Sequence, residues 1–98
     1  MALSIFLATA VADAVEDRRP GARHAMLIYV AAADFEAAQR KAAGVALGAG
    51  WMMVRIEKGM EVADPAANAD PVLRAAGETA LEEGAALVVY GDELPPEA

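Results

Sequence analysis

RHAMLIYVAA, residues 23–32, is the stretch that decides the fold. Met26, Ile28 and Val30 share one side with His24, and Leu27 and Tyr29 share the other, which is the period of a β-strand. Both sides are apolar. A strand of that kind needs cover on each face, unlike a surface strand with one wet side. Residues 2–14, ALSIFLATAVADA, repeat the pattern, with Leu3, Ile5, Leu7 and Val11 on one face and Ser4, Phe6 and a series of alanines on the other. The connection between them, EDRRPGARH at residues 16–24, is short and turns at Pro20-Gly21. Two strands joined in this way are predicted to pair as an antiparallel hairpin.

Downstream of the hairpin the period changes. Asp34 is a helix N-cap, since its carboxylate can accept from free amides of the first turn. Phe35, Ala38, Ala42, Val45 and Ala46 form the apolar stripe, Glu36 and Arg40 a solvent-side pair, and Gly48 to Gly50 the stop. Residues 51–62, WMMVRIEKGMEV, read as a third strand in which Met52, Val54 and Ile56 alternate with Trp51, Met53 and Arg55. A loop at 63–70 leads to Asp70-Pro71, a cap followed by proline at the first helical position. The second helix is predicted to turn Val72, Leu73, Ala76, Ala80 and Leu81 inward and to end at Gly84. Residues 85–92, AALVVYGD, are the last strand. Residues 1–92 thus read as a single α/β domain, and 93–98 as a short acidic tail containing proline.

The order ββαβαβ predicts an α+β fold. If both strand–helix–strand crossovers are right-handed, both helices lie on one face of a mixed four-stranded sheet, a two-layer α/β sandwich of ferredoxin-like style. One sheet face is then uncovered although its strands are apolar. Leu27, Tyr29, Trp51 and Met53 are the residues expected to line it, as the interface of a homodimer or the wall of a pocket. The strand–helix–Gly-Trp–strand rhythm resembles the layout of many small bacterial domains, and a layout carries no function.

Composition narrows the functional classes. The chain has 98 residues, 57% of them hydrophobic, and much of that share is alanine with little core volume. There is no cysteine, so no disulfide scaffold, thiolate zinc site or cysteine nucleophile is available, and one histidine allows no multi-histidine metal site within a chain. The net charge of −7 is uneven: residues 61–98 carry nine acids and a single cation, Arg74. Nucleic-acid binding needs a basic face, which this pattern does not provide, and a protein partner that met the C-terminal third would be basic. The N-terminal apolar stretch has no positive flank and alternates at period two, unlike a signal peptide, and no run reaches the ~18 apolar residues of a membrane span. The expectation is a cytoplasmic protein without nucleic-acid, membrane, cofactor or metal partners.

Chemistry has one concentrated candidate. Arg18, Arg19, Arg23 and His24 stand around the Pro-Gly turn and could gather an anion, because guanidinium forks match carboxylates and phosphates and a histidine moves protons near neutral pH. Glu16, Asp17 and Asp13 beside them cancel much of that field. No phosphate-loop spacing accompanies them. The only serine, Ser4, falls at the far end of its strand from His24, so no nucleophile–base pair is expected. Asp64, Asp70, Asp92 and Glu93 match no metal-loop pattern. The reading is a small non-enzymatic interaction module that acts as a homodimer; the alternative is an anionic-metabolite binder or enzyme using the 18–24 loop.

Overall fold

The computed structural model describes residues 2–95. Its elements are β1 (Ala2–Ala12), β2 (Arg23–Ala32), α1 (Phe35–Gly48), β3 (Trp51–Val62), a 3₁₀ turn (Pro65–Ala67), α2 (Pro71–Glu83) and β4 (Ala85–Glu93). The fold is α+β, with two α-helices and one four-stranded sheet in the order β3-β1-β2-β4. The two strands that are apolar on both faces are the two central ones. The edges carry the charge: β3 holds Arg55, Glu57, Lys58 and Glu61, which discourages further strand pairing.

Every strand pair is antiparallel, so the sheet is not mixed. The helices do not share a face either. Phe6, Ala8, Ala10 and Ala12 of β1 and Met26, Ile28, Val30 and Ala32 of β2 pack with Ala38, Ala42 and Ala46 of α1. Leu3 and Tyr29, from the opposite face of the same strands, pack with Ala76 and Ala80 of α2. The reason lies in the strand directions. β2 and β3 run the same way, both antiparallel to β1, so the link through α1 is a true crossover. β3 and β4 run in opposite directions, and the link through α2 leaves and re-enters the same end of the sheet, where Val62 lies opposite Leu3 and Ala85 opposite Val30. The handedness rule governs parallel strands and places no demand on that link. The ferredoxin-like arrangement is therefore replaced by a sheet between two helices.

Local signals act as expected at the helix starts. Asp34 accepts from the Ala37 N–H at 2.8 Å, and Asp70 from the Val72 N–H at 2.8 Å. The α2 stripe is narrower than predicted: Ala76, Gly77 and Ala80 are buried, while Val72 and Leu81 are 61% and 43% exposed. The helix rests on its small residues, with the Gly77 backbone held close to Pro65 and Leu3. β4 runs one residue further than predicted, and of the expected tail only Leu94 and Pro95 follow it among the described residues; residues 96–98 lie outside them.

The predicted alternation along β3 is broken. Register shifts fall between Leu7 and Ala8 and between Thr9 and Val11 of its partner, and Met53 takes a φ of +51° at the second. A bulge moves later side chains to the other face. Trp51 consequently packs on the α1 face with Val54 and Ile56 rather than opposite them.

Gly59 lies under the Phe6 ring. A Cβ there would come within 2.6 Å of two ring carbons and 3.0 Å of Phe35 Cζ, while Phe6 is fully buried and cannot retreat. Gly59→Ala is expected to destabilise by a net of about 1–2 kcal/mol, overpacking outweighing the smaller gain from removing a strand glycine. Urea denaturation reads this directly, and a rise in the midpoint would contradict it.

Candidate functional site

The second sheet face is half covered. α2 lies over β4 and β2 and reaches β1 near its start, where Leu3 is buried under the helix and Ile5 packs at its side. Beyond it, Ile5 and Leu7 of β1, Leu27 of β2, Met60 of β3 and Tyr90 of β4 surround a shallow hollow of about 400 Å³ with Lys58 at its side. The register explains the cluster. Leu7 pairs with Leu27 and Lys58, and Ile5 with Tyr29 and Met60, so each pair projects from one face. Met60 is 62% and Tyr90 46% exposed, the unfinished side of an apolar layer.

The four residues predicted to line an uncovered face do not lie together. Leu27 and Tyr29 are on this face. Trp51 is buried on the other, and Met53 stands at the bulge, 67% exposed. Sequence reading missed Ile5, Leu7, Met60 and Tyr90 as neighbours of Leu27. The available signal was the hairpin itself, which sets Leu7 opposite Leu27 once its register is known.

The residues of the 18–24 loop diverge as well. Arg19 forks onto Glu93, Nη2 to Oε1 at 2.7 Å and Nε to Oε2 at 3.2 Å, a contact between the loop and the last residue of β4. The hydrogen bond from Arg19 holds the Glu93 carboxyl below the usual carboxylate range, and the same bond raises the guanidinium. Both groups are open to solvent, where such pairs contribute little. Arg18 sits in the bend before the turn. Arg23 is on the second face, its Nη1 donating to Thr9 Oγ1 at 3.4 Å.

His24, the next residue, points to the first face and is 2% exposed. Its Nδ1–H donates to the Tyr90 carbonyl at 2.9 Å, and its ring meets Trp51 edge-on with centroids 5.6 Å apart. Nε2 is buried without a partner. Arg23 and His24 therefore point to opposite faces of the sheet. Ser4 is opposite Val30 while His24 is opposite Ala10, six residues away along β1, or about 20 Å at strand rise.

The loop carboxylates serve the backbone. Asp64 accepts from the Ala66 N–H at 3.0 Å, Asp70 caps α2, and Glu93, expected in the tail, belongs to β4 together with Asp92. Among the described residues, no three acidic or histidine side chains are grouped to hold a metal ion, and no helix is long and apolar enough to cross a membrane.

No protein-family model matches the chain, and no curated protein and no solved structure matches it significantly.

Proposed function

We propose that the chain works by binding rather than by catalysis, as a homodimer joined through the open half of its second sheet face. One observation carries the reading: Ile5, Leu7, Leu27, Met60 and Tyr90 form an apolar strip, with Lys58 at its side, that the fold leaves half-covered beside a helix. Apolar area removed from water returns roughly 25 cal/mol per Å² before the costs of association. Strips of this kind on small soluble chains mark interaction sites. A second copy supplies the same chemistry, and a two-fold axis lets one strip cover its equivalent without leaving a further face open. Met60, with its flexible thioether, suits the irregular seam between two sheets.

Light scattering coupled to size exclusion tests the pairing. The parent is expected at about twice the chain mass of 10.1 kDa. Leu7→Asp places a carboxylate in the centre of the strip, where burial without a partner is unfavourable, and is expected to give the single-chain mass with unchanged circular dichroism. A parent that runs as a single chain at 100 µM would defeat the proposal.

A further inference from the structure

The second face carries charge beside the strip. Along the register away from α2, Leu7 of β1 lies opposite Lys58 of β3, and Thr9 opposite Arg55. Val54 and Ile56 pack on the first face, so Arg55 between them belongs to the second. From β2 the Arg23 guanidinium reaches the same row, its Nη1 3.4 Å from Thr9 Oγ1. Three of the chain's eight cations thus border one end of an apolar hollow, although the net charge of the chain is −7.

Nearby acids do not neutralise this end. Glu57 adjoins Lys58 in sequence, and Asp92 precedes Glu93, which pairs with His24. Among the described residues, neither Glu57 nor Asp92 stands within ion-pair distance of Arg23 or Lys58. Glu93 is taken by Arg19. The hollow itself measures about 400 Å³, within the usual range of small-molecule sites. From Ile5 to Thr9 the strand runs about 13 Å, roughly the length of an extended octanoate ion.

We propose that the strip binds a small aliphatic monocarboxylate. Its apolar body lies in the hollow between Ile5, Leu7, Leu27, Met60 and Tyr90, and its carboxylate meets Lys58 and the Arg23 guanidinium. Arg55 adds to the field from the row beside them. An uncharged ligand leaves the cations unused, a cationic one is repelled by them, and an anion without an apolar body leaves the hollow unfilled. The proposal shares the open strip with the pairing reading and does not need the pair, since ligand and second copy exclude each other there.

Octanoate, octan-1-ol and octylamine test the assignment, sharing a chain and differing in the charge of the head. Each is titrated at neutral pH into ¹⁵N-labelled protein and followed by two-dimensional amide NMR. Octanoate is expected to shift amides of Ile5 to Thr9 and Lys58 to Met60. It should bind about three- to tenfold tighter than octan-1-ol, the worth of one or two solvent-exposed ion pairs, with octylamine weakest. Lys58→Met keeps the length of the side chain and removes its charge, and should cut that preference about two- to threefold. In Arg23→Met/Lys58→Met the preference is expected to fall to about one. Equal affinities for octanoate and octan-1-ol, shifts confined to other residues, or a preference that survives both variants would each overturn the proposal. Light scattering on the same samples reads pairing separately. A single-chain mass throughout defeats the pairing alone, whereas a pair that bound octanoate fails to separate would place the ligand elsewhere and overturn this site.

Discussion

Gly50→Ala is expected to remove about 3–4 kcal/mol of folding stability, the sum of a backbone cost and a steric one. Gly50 has a φ of +97°, in the region an L side chain enters at about 1–2 kcal/mol. It also lies against the chain that leaves β1: a Cβ there would sit 2.6 Å from the Ala14 carbonyl oxygen and 2.8 Å from its carbon. Those atoms are backbone and are fixed in turn, because the Gly50 carbonyl accepts from Asp13 N–H at 3.1 Å and Ala14 N–H at 2.9 Å. Relieving the contact means giving up the bonds that join the end of α1 to the start of the hairpin loop. Small domains have about 5–15 kcal/mol in hand, so the loss is a large part of the total.

Gly84→Ala separates the two causes. Gly84 has a φ of +100°, and a Cβ added there would meet nothing within 4 Å, so this variant carries the backbone cost alone. Urea denaturation of both variants should therefore show Gly50→Ala losing about 1–3 kcal/mol more than Gly84→Ala. Equal losses would mean that the approach to Ala14 carries no energy.

How much of this was legible beforehand follows from the range of each interaction. The helix starts at Asp34 and Asp70 and the antiparallel hairpin depend on neighbours in sequence, and local chemistry suffices to read them. The face that α2 occupies depends on the relative direction of β3 and β4, two strands that never touch, and no residue encodes that alone. The bulge at Met53 is similar. Nothing in WMMVRIEKGMEV marks a left-handed methionine, yet that residue decides that Trp51 meets His24 instead of joining Leu27 and Tyr29. The four residues of the candidate anion site were spread apart for a simpler reason. Consecutive strand residues point to opposite faces, so Arg23 and His24 were separated as soon as both were assigned to β2. Arg19 found its acid not among Asp13, Glu16 and Asp17 but 74 residues away at Glu93, a pairing set by the position of β4 at the edge beside β2.

Phe6→Ala is expected to be the most damaging single truncation in the sheet, at about 3–5 kcal/mol. Phe6 is fully buried between the sheet and α1, its ring 5.4 Å from that of Phe35 and tilted by 33°. Its surroundings are poorly placed to close over a void. Across the sheet Phe6 pairs with Ile28 on one side and with Gly59 on the other, and many of the other side chains in its cluster are alanines, Ala8, Ala38 and Ala42 among them, with no reach. A core that uses small residues to bring a helix close to a sheet leaves the shape of its few large side chains unshared. The cavity cost should then stand near the top of the range.

The same geometry predicts an interaction between Phe6 and Gly59. In the Phe6→Ala background the two ring carbons closest to a Gly59 methyl are gone and Phe35 Cζ at 3.0 Å remains beside the new space, so Gly59→Ala should change from destabilising to near neutral. The double-mutant cycle is expected to show a coupling of about 1–2 kcal/mol, well above the error for non-interacting sites. Additive losses would show that Phe6 does not rest on Gly59, and that the glycine is there to shape the β3 edge instead.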